Sequence, residues 1–255
     1  MTTEETKKSV VRVAVTQLEP EWLDLQGTVF IPGYPTWIWS RPVDLTLSVR
    51  YIENSLRVDS PEMKCIQNCA REHGIAIAFT RRKVKPTHVE RTTFGDGNGD
   101  SLKNVANTHI GRVGSLACWE HLQPLLKFNT FSQREEFHIA AWPAIFPHSG
   151  EELWSLTQEG CRTMAQTYAM ESQTWSLALW KSRGGNSAVF GPDGLKLTED
   201  LPPTEEGLVY ADLDKSMIIA SRCFADACGH YSRPDLLSLT IDDKVKMVVN
   251  SIRSE

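Results

Sequence analysis

Residues Val10 to Gln17 alternate apolar and polar positions and are rich in β-branched side chains, so they read as a strand. Ser60-Pro61 is a helix start, a capping serine followed by proline at the first helical position. Met63, Ile66 and Ala70 give that helix an apolar stripe through Arg71, and Gly74 closes it. Ile75 to Phe79 reads as a short buried strand. Gly114 to Cys118 reads as a second, with a helical stretch over Trp119 to Phe128 directly behind it. His138 to Trp142 reads as a third. Glu151 to Glu171 is a long helical segment, and Thr174 to Trp180 another strand. Ser187 to Phe190, the turn Gly191-Pro192-Asp193-Gly194, and Leu208 to Asp212 read as the paired strands of a hairpin or meander. Strands alternating with helices predict an α/β layered fold. Without a repeat or linker, one domain spans 1–255, its core over 10–240 and a tail beyond. One spacing is awkward. Gln17 lies too close to the turn-rich segment Ile31-Pro32-Gly33-Tyr34-Pro35 for the helix-bearing crossover that a neighbouring parallel strand needs.

Composition narrows the picture. With 41% hydrophobic and 23% charged residues over 255 positions, the chain has a globular balance and enough apolar material for a core. No apolar run approaches the ~18 residues of a bilayer span. The first apolar stretch is broken by Arg12 and is too short for a secretory signal, which points to a cytoplasmic protein. A net charge of −5 with no basic stripe argues against nucleic acid as a partner. The six cysteines are expected to be reduced. Cys65 and Cys69 lack a second pair, and the spacing Cys223, Cys228, His230 is no familiar zinc pattern, so no metal is expected.

The sharpest chemical candidate is Cys118. It stands where a buried strand meets a helix, near unpaired helix N–H groups that favour a thiolate and can hold an oxyanion. A core cysteine at a strand end remains the plainer alternative from that local context. The second candidate is the run from Arg81 to Arg91. Lys83 directly follows a buried strand, and Pro86 stops any helix, so the ammonium can turn back into a cleft and stabilise negative charge. Gly95-Asp96-Gly97-Asn98-Gly99-Asp100 resembles a calcium loop but has Ser101 at its sixth position and Asn107 at its twelfth. It reads as a flexible solvated loop. His88, His121, His138 and His230 are possible acids or bases without triad spacing. Trp119 and Trp142 flank short buried strands and serve as core or as pocket walls.

Five stretches together resemble the nitrilase branch of the carbon–nitrogen hydrolase superfamily. They are Ile31 to Pro35, Arg82 to Arg91, Cys118-Trp119-Glu120-His121, Ala140-Ala141-Trp142-Pro143, and Gly229 to Asp235, in family order over nearly the whole chain. The resemblance implies a four-layer α-β-β-α sandwich, here incomplete, that forms homodimers or larger homo-oligomers and needs no cofactor. It implies that Cys118 is the nucleophile attacking a nitrile carbon to form a thioimidate, which water converts to a carboxylic acid and ammonia. It implies that Lys83 stabilises the tetrahedral intermediates and that Glu120 positions the lysine and substrate. Trp119 and Trp142 would line the pocket.

The departures carry equal weight. The family's general-base glutamate aligns with Thr28, which cannot usefully accept a proton at neutral pH. Glu19 and Glu21 are nearby but belong to the end of the first strand. The helix and strand that the family carries before the Pro32 turn are missing, and segments near Phe79 and Trp180 are short. Three readings follow: an active thiol hydrolase of organic nitriles resting on Cys118, Lys83 and Glu120, an inactive homologue acting as an assembly subunit or arising from a splice or gene-model product, and a cyanide hydratase using the same residues.

Overall fold

The computed structural model of the chain describes residues 10–18, 44–78, 82–143, 151, 153–180 and 185–247. Thr28, Glu19, Glu21 and the turn Ile31 to Pro35 lie outside the described residues.

The first strand, β1 (Val10–Gln17), covers the whole alternating stretch. Helix α1 (Leu45–Glu53) is capped by Asp44, whose carboxylate accepts from Leu47 N–H. Helix α2 (Pro61–Glu72) starts as its sequence predicts: the Ser60 hydroxyl accepts from Met63 N–H, and Gly74 turns the chain away at φ +61°. Then follow β2 (Val105–Thr108), β3 (Gly111–Ala117), α3 (Pro124–Ser132), β4 (Phe137–Ala141), α4 (Gln158–Ser172), β5 (Trp175–Leu179), β6 (Ala188–Phe190), β7 (Gly207–Asp214) and α5 (Ser216–Ala225).

The strands form two sheets. One has five strands in the order β2-β3-β4-β5-β6, with β3, β4 and β5 parallel and antiparallel strands at both edges. The other pairs β1 with β7 antiparallel. Alternation decides what each face meets. Phe137, Trp175 and Val189 face the small sheet and pack with Val13, Val15 and Leu213. Ala140, Ala178 and Ala188 point the other way, and their small side chains let α4 settle against the sheet through Cys161, Ala165 and Ala169. The order helix, sheet, sheet is therefore fully packed. Two helices stand apart from that packing: among the described residues α1 buries none of its residues and α2 only Ile66. A two-stranded sheet offers too narrow a face to cover a helix layer, in keeping with an incomplete sandwich.

Three sequence expectations need correction. Residues 75–78 form no strand, and Ile75 is 49% exposed. An isolated strand is not stable without a hydrogen-bonded neighbour, and the described residues offer this segment none. The expected hairpin does not form either: β6 pairs with β5 and β7 with β1, so the two stretches end in different sheets. The turn between them closes only locally, through the bridge from Phe190 to Lys196. Finally, the long helix begins at Gln158 rather than Glu151, because the Thr157 hydroxyl accepts from Gly160 N–H and starts the helix there.

Candidate active site

Cys118 sits at the end of β3 as the first residue of a short 3-10 helix, Cys118–Leu122. Its φ is +54°, a left-handed conformation that costs a non-glycine residue of order 1–3 kcal/mol. The surroundings enforce it. The Glu120 carboxylate accepts from Ala117 N–H at 3.0 Å through one oxygen and from Val84 N–H at 2.9 Å through the other. One buried side chain thus ties the backbone beside the thiol to the backbone beside Lys83.

Lys83 is buried and makes an ion pair with Glu90, its Nζ 2.9 and 3.1 Å from the two carboxylate oxygens and 3.2 Å from the Thr87 hydroxyl. Glu90 was missed as a site residue by sequence reasoning. A signal was present: Thr87 followed three residues later by glutamate is a helix-start pattern, and that short 3-10 helix, His88–Thr92, turns Glu90 back toward Lys83. Thr87 N–H donates to the Glu90 carboxylate at 2.6 Å. Glu90 carries the direct pair with the lysine, while Glu120 accepts hydrogen bonds from the backbone on both sides of the site.

The glycine-rich loop is also corrected. Gly97 N–H donates to the carbonyl oxygens of Lys83 and Val84, at 2.8 and 3.1 Å. A Cβ on Gly97 would lie 2.7 Å from the Lys83 carbonyl. This is a brace fitted to the lysine's backbone, beyond the reach of composition, because a solvated loop and a braced one use the same glycines.

By bonding the backbones of both Ala117 and Val84, Glu120 brings Cys118 and Lys83 into one site, where the charges of Lys83, Glu90 and Glu120 act on the thiol. Burial pushes the thiol up to about 11, against the opposing pull of Lys83 and of the Trp119 backbone N–H. The expected thiolate at the strand-to-helix turn is thus overridden, because removing a charge from water outweighs one ammonium and one N–H. Burial also lowers Lys83 and raises Glu90 to about 7.

Trp142 is buried, stacked on His121 at 5.1 Å and on Trp180 at 5.9 Å, and Trp119 packs against the same cluster as Cys118. His121 and His138 are buried close behind the thiol, whereas His230 is exposed. All six cysteines are unpaired. Among the described residues no helix is long and apolar enough to cross a membrane, and no group of three His, Cys, Asp or Glu side chains could hold a metal.

Known proteins resemble this chain in sequence and in fold. The family model described as carbon-nitrogen hydrolase matches residues 78–222. An arylacetonitrilase of Hypocrea virens is 46% identical, with 96% of each chain covered. One from Aspergillus kawachii is also 46% identical, covering 93% of this chain and 94% of its own. The first alignment runs over 315 positions against a chain of 255 residues, so at least 60 positions of the relative face a gap. Among solved structures, Nit3 of Saccharomyces cerevisiae, a member of branch 10 of the nitrilase superfamily, superposes with a TM-score of 0.60 at 16% identity, over 84% of this chain and 94% of that one. An amidase from Nesterenkonia sp. AN1 in complex with acrylamide gives 0.56 at 15%, over 86% and 96%. On the matched family model and these relatives, the chain belongs to the carbon–nitrogen hydrolase family, as a hydrolase of its nitrilase branch.

Proposed function

We propose that the chain hydrolyses an organic nitrile, of the arylacetonitrile class that its relatives' names describe, to a carboxylic acid and ammonia. The observation that carries this reading is the shared buried site of Cys118 and Lys83, with Glu90 paired to the lysine and Glu120 tying both backbones together. The Cys118 sulfur attacks the nitrile carbon. Its thiol proton passes to Glu90, and a proton from the Lys83 ammonium reaches the nitrile nitrogen, giving a thioimidate. The Glu90 proton then restores the ammonium. Water adds to the thioimidate, ammonia leaves, and a second water releases the acid from the thioester. Trp119 and Trp142 would flank the aryl group.

Glu90 is the acceptor in this scheme because burial holds it at about 7, half ionised at neutral pH, whereas the threonine at position 28 accepts no proton there. Turnover then rises with pH through about 7, as Glu90 loses its proton. Ammonia release from phenylacetonitrile, abolished by Cys118→Ala, is the expected result. Absence of ammonia in every nitrile tried, or a rate that falls across that pH range, overturns the reading. Formation of the amide in place of the acid would move the assignment to a hydratase.

A second reading has its own observations: Thr28 and the 60 or more unmatched positions favour a homologue whose turnover is lost. It requires that no nitrile is turned over by the purified chain, and that Thr28→Glu alone does not restore turnover, since the missing crossover would have positioned that base.

A further inference from the structure

Behind Cys118 runs a buried chain of hydrogen bonds that the reaction scheme does not use. His121 Nδ1 lies 2.7 Å from the Cys118 carbonyl oxygen. His121 Nε2 lies 3.1 Å from His138 Nε2. His138 Nδ1 lies 2.9 Å from one Glu135 oxygen, and the Tyr168 hydroxyl donates to the other at 2.5 Å. All four side chains are buried, and the His138 and Tyr168 rings stack at 3.8 Å. Gly114 leaves the space that Glu135 fills: a Cβ there would lie 1.9 Å from its carboxylate.

The proton positions follow from the chemistry of each contact. A carbonyl only accepts, so His121 Nδ1 carries a proton. Burial and the neighbouring His138 hold His121 well below the ordinary histidine range, so it is neutral and its Nε2 is bare. His138 Nε2 must then donate to it. The bonds at both His121 nitrogens therefore each have one direction, and the one at Nδ1 fixes the Cys118 carbonyl.

We propose that His121 and His138 are positioning residues that hold the nucleophile's backbone in its left-handed conformation, with His121 locked as the Nδ1–H tautomer. The anchor matters because Cys118 stands at φ +54°, a geometry its own side chain disfavours. With the carbonyl released, the residue relaxes and the sulfur leaves the Lys83 charge and the Trp119 N–H that oppose its burial penalty. The inference rests on Cys118 being the nucleophile, but its test does not rest on nitrile turnover.

Nitrogen NMR of the wild-type protein labelled at histidine reads the tautomer directly, with the His121 signals assigned by their loss in His121→Asn. The expected result is a neutral ring protonated at Nδ1 from pH 6 to 8. An Nε2–H ring, or titration with a midpoint near 6.5, overturns the proposal. Cys118 alkylation by iodoacetamide at pH 9, followed by peptide mass, reads the consequence. His121→Phe keeps a ring against Trp142 but removes the donor, and slows alkylation at least about fivefold. His121→Asn restores most of the rate, because its amide can donate to the same carbonyl. An unchanged rate in His121→Phe, or no difference between the two variants, also overturns it.

Discussion

Glu90 and Glu120 are both buried carboxylates in one site, yet they answer to different demands. Glu90 neutralises a buried ammonium, whereas Glu120 satisfies backbone donors at Ala117 and Val84. Removing one partner of a buried ion pair leaves the other charge uncompensated, at a cost of about 3–5 kcal/mol. Losing one acceptor for a backbone N–H costs about 1–3 kcal/mol. Glu90→Gln is therefore expected to lower stability more than Glu120→Gln. Urea unfolding of the two variants checks the order. Equal losses would show that the lysine is held by both carboxylates alike.

At the scale of elements, the site is assembled from a strand end, a 3-10 turn and two loops. The parallel strands β3 and β4 fix the height at which Cys118 emerges, and the Gly97 loop fixes Lys83 opposite it. That loop is held in turn by the chain's tail. Asn98 exchanges two hydrogen bonds with the Lys246 backbone, and a Cβ on Gly99 would meet the Lys244 carbonyl at 2.4 Å. Gly97→Ala pushes against backbone at Lys83 and Val84 as well as against the Ser101 hydroxyl, and the backbone contacts cannot be relieved by a rotamer change. The expected outcome is a loss of about 1–3 kcal/mol in thermal or urea stability, with a fall in ammonia release larger than any change in KM. A variant as stable and as active as the parent would show that the loop yields freely and braces nothing.

Over the whole molecule, large apolar side chains lie on the surface at Phe224 (89% exposed), Ile219 and Leu237. Leu45, Val49 and Ile52 form a further exposed stripe along α1. Patches of this kind mark contacts with other chains. If copies of the chain meet through α5, Phe224→Glu is expected to shift the protein toward the single chain, by placing a charge where apolar contact is needed. Light scattering of the two proteins tests this. A wild-type chain that stays monomeric at micromolar concentration would show that α5 carries no such contact.

Sequence alone determined the local pieces. Alternation gave β1 to the residue, the Ser60-Pro61 cap gave the start of α2, and the strand before Cys118 placed the thiol at a turn. These follow from side-chain periodicity and capping, which act over a few residues. The motif order pointed to the nitrilase branch and to Cys118 and Lys83. Tertiary structure alone decided the rest. Strand partners depend on which edges are free, so β6 and β7 parted into different sheets and residues 75–78 have no strand partner among the described residues. Which glutamate meets the lysine, and whether the thiol is ionised, depend on distance and burial between segments far apart in the chain. Low-dielectric surroundings exist only once the core has closed, and there desolvation outweighs the local charges that the sequence displays.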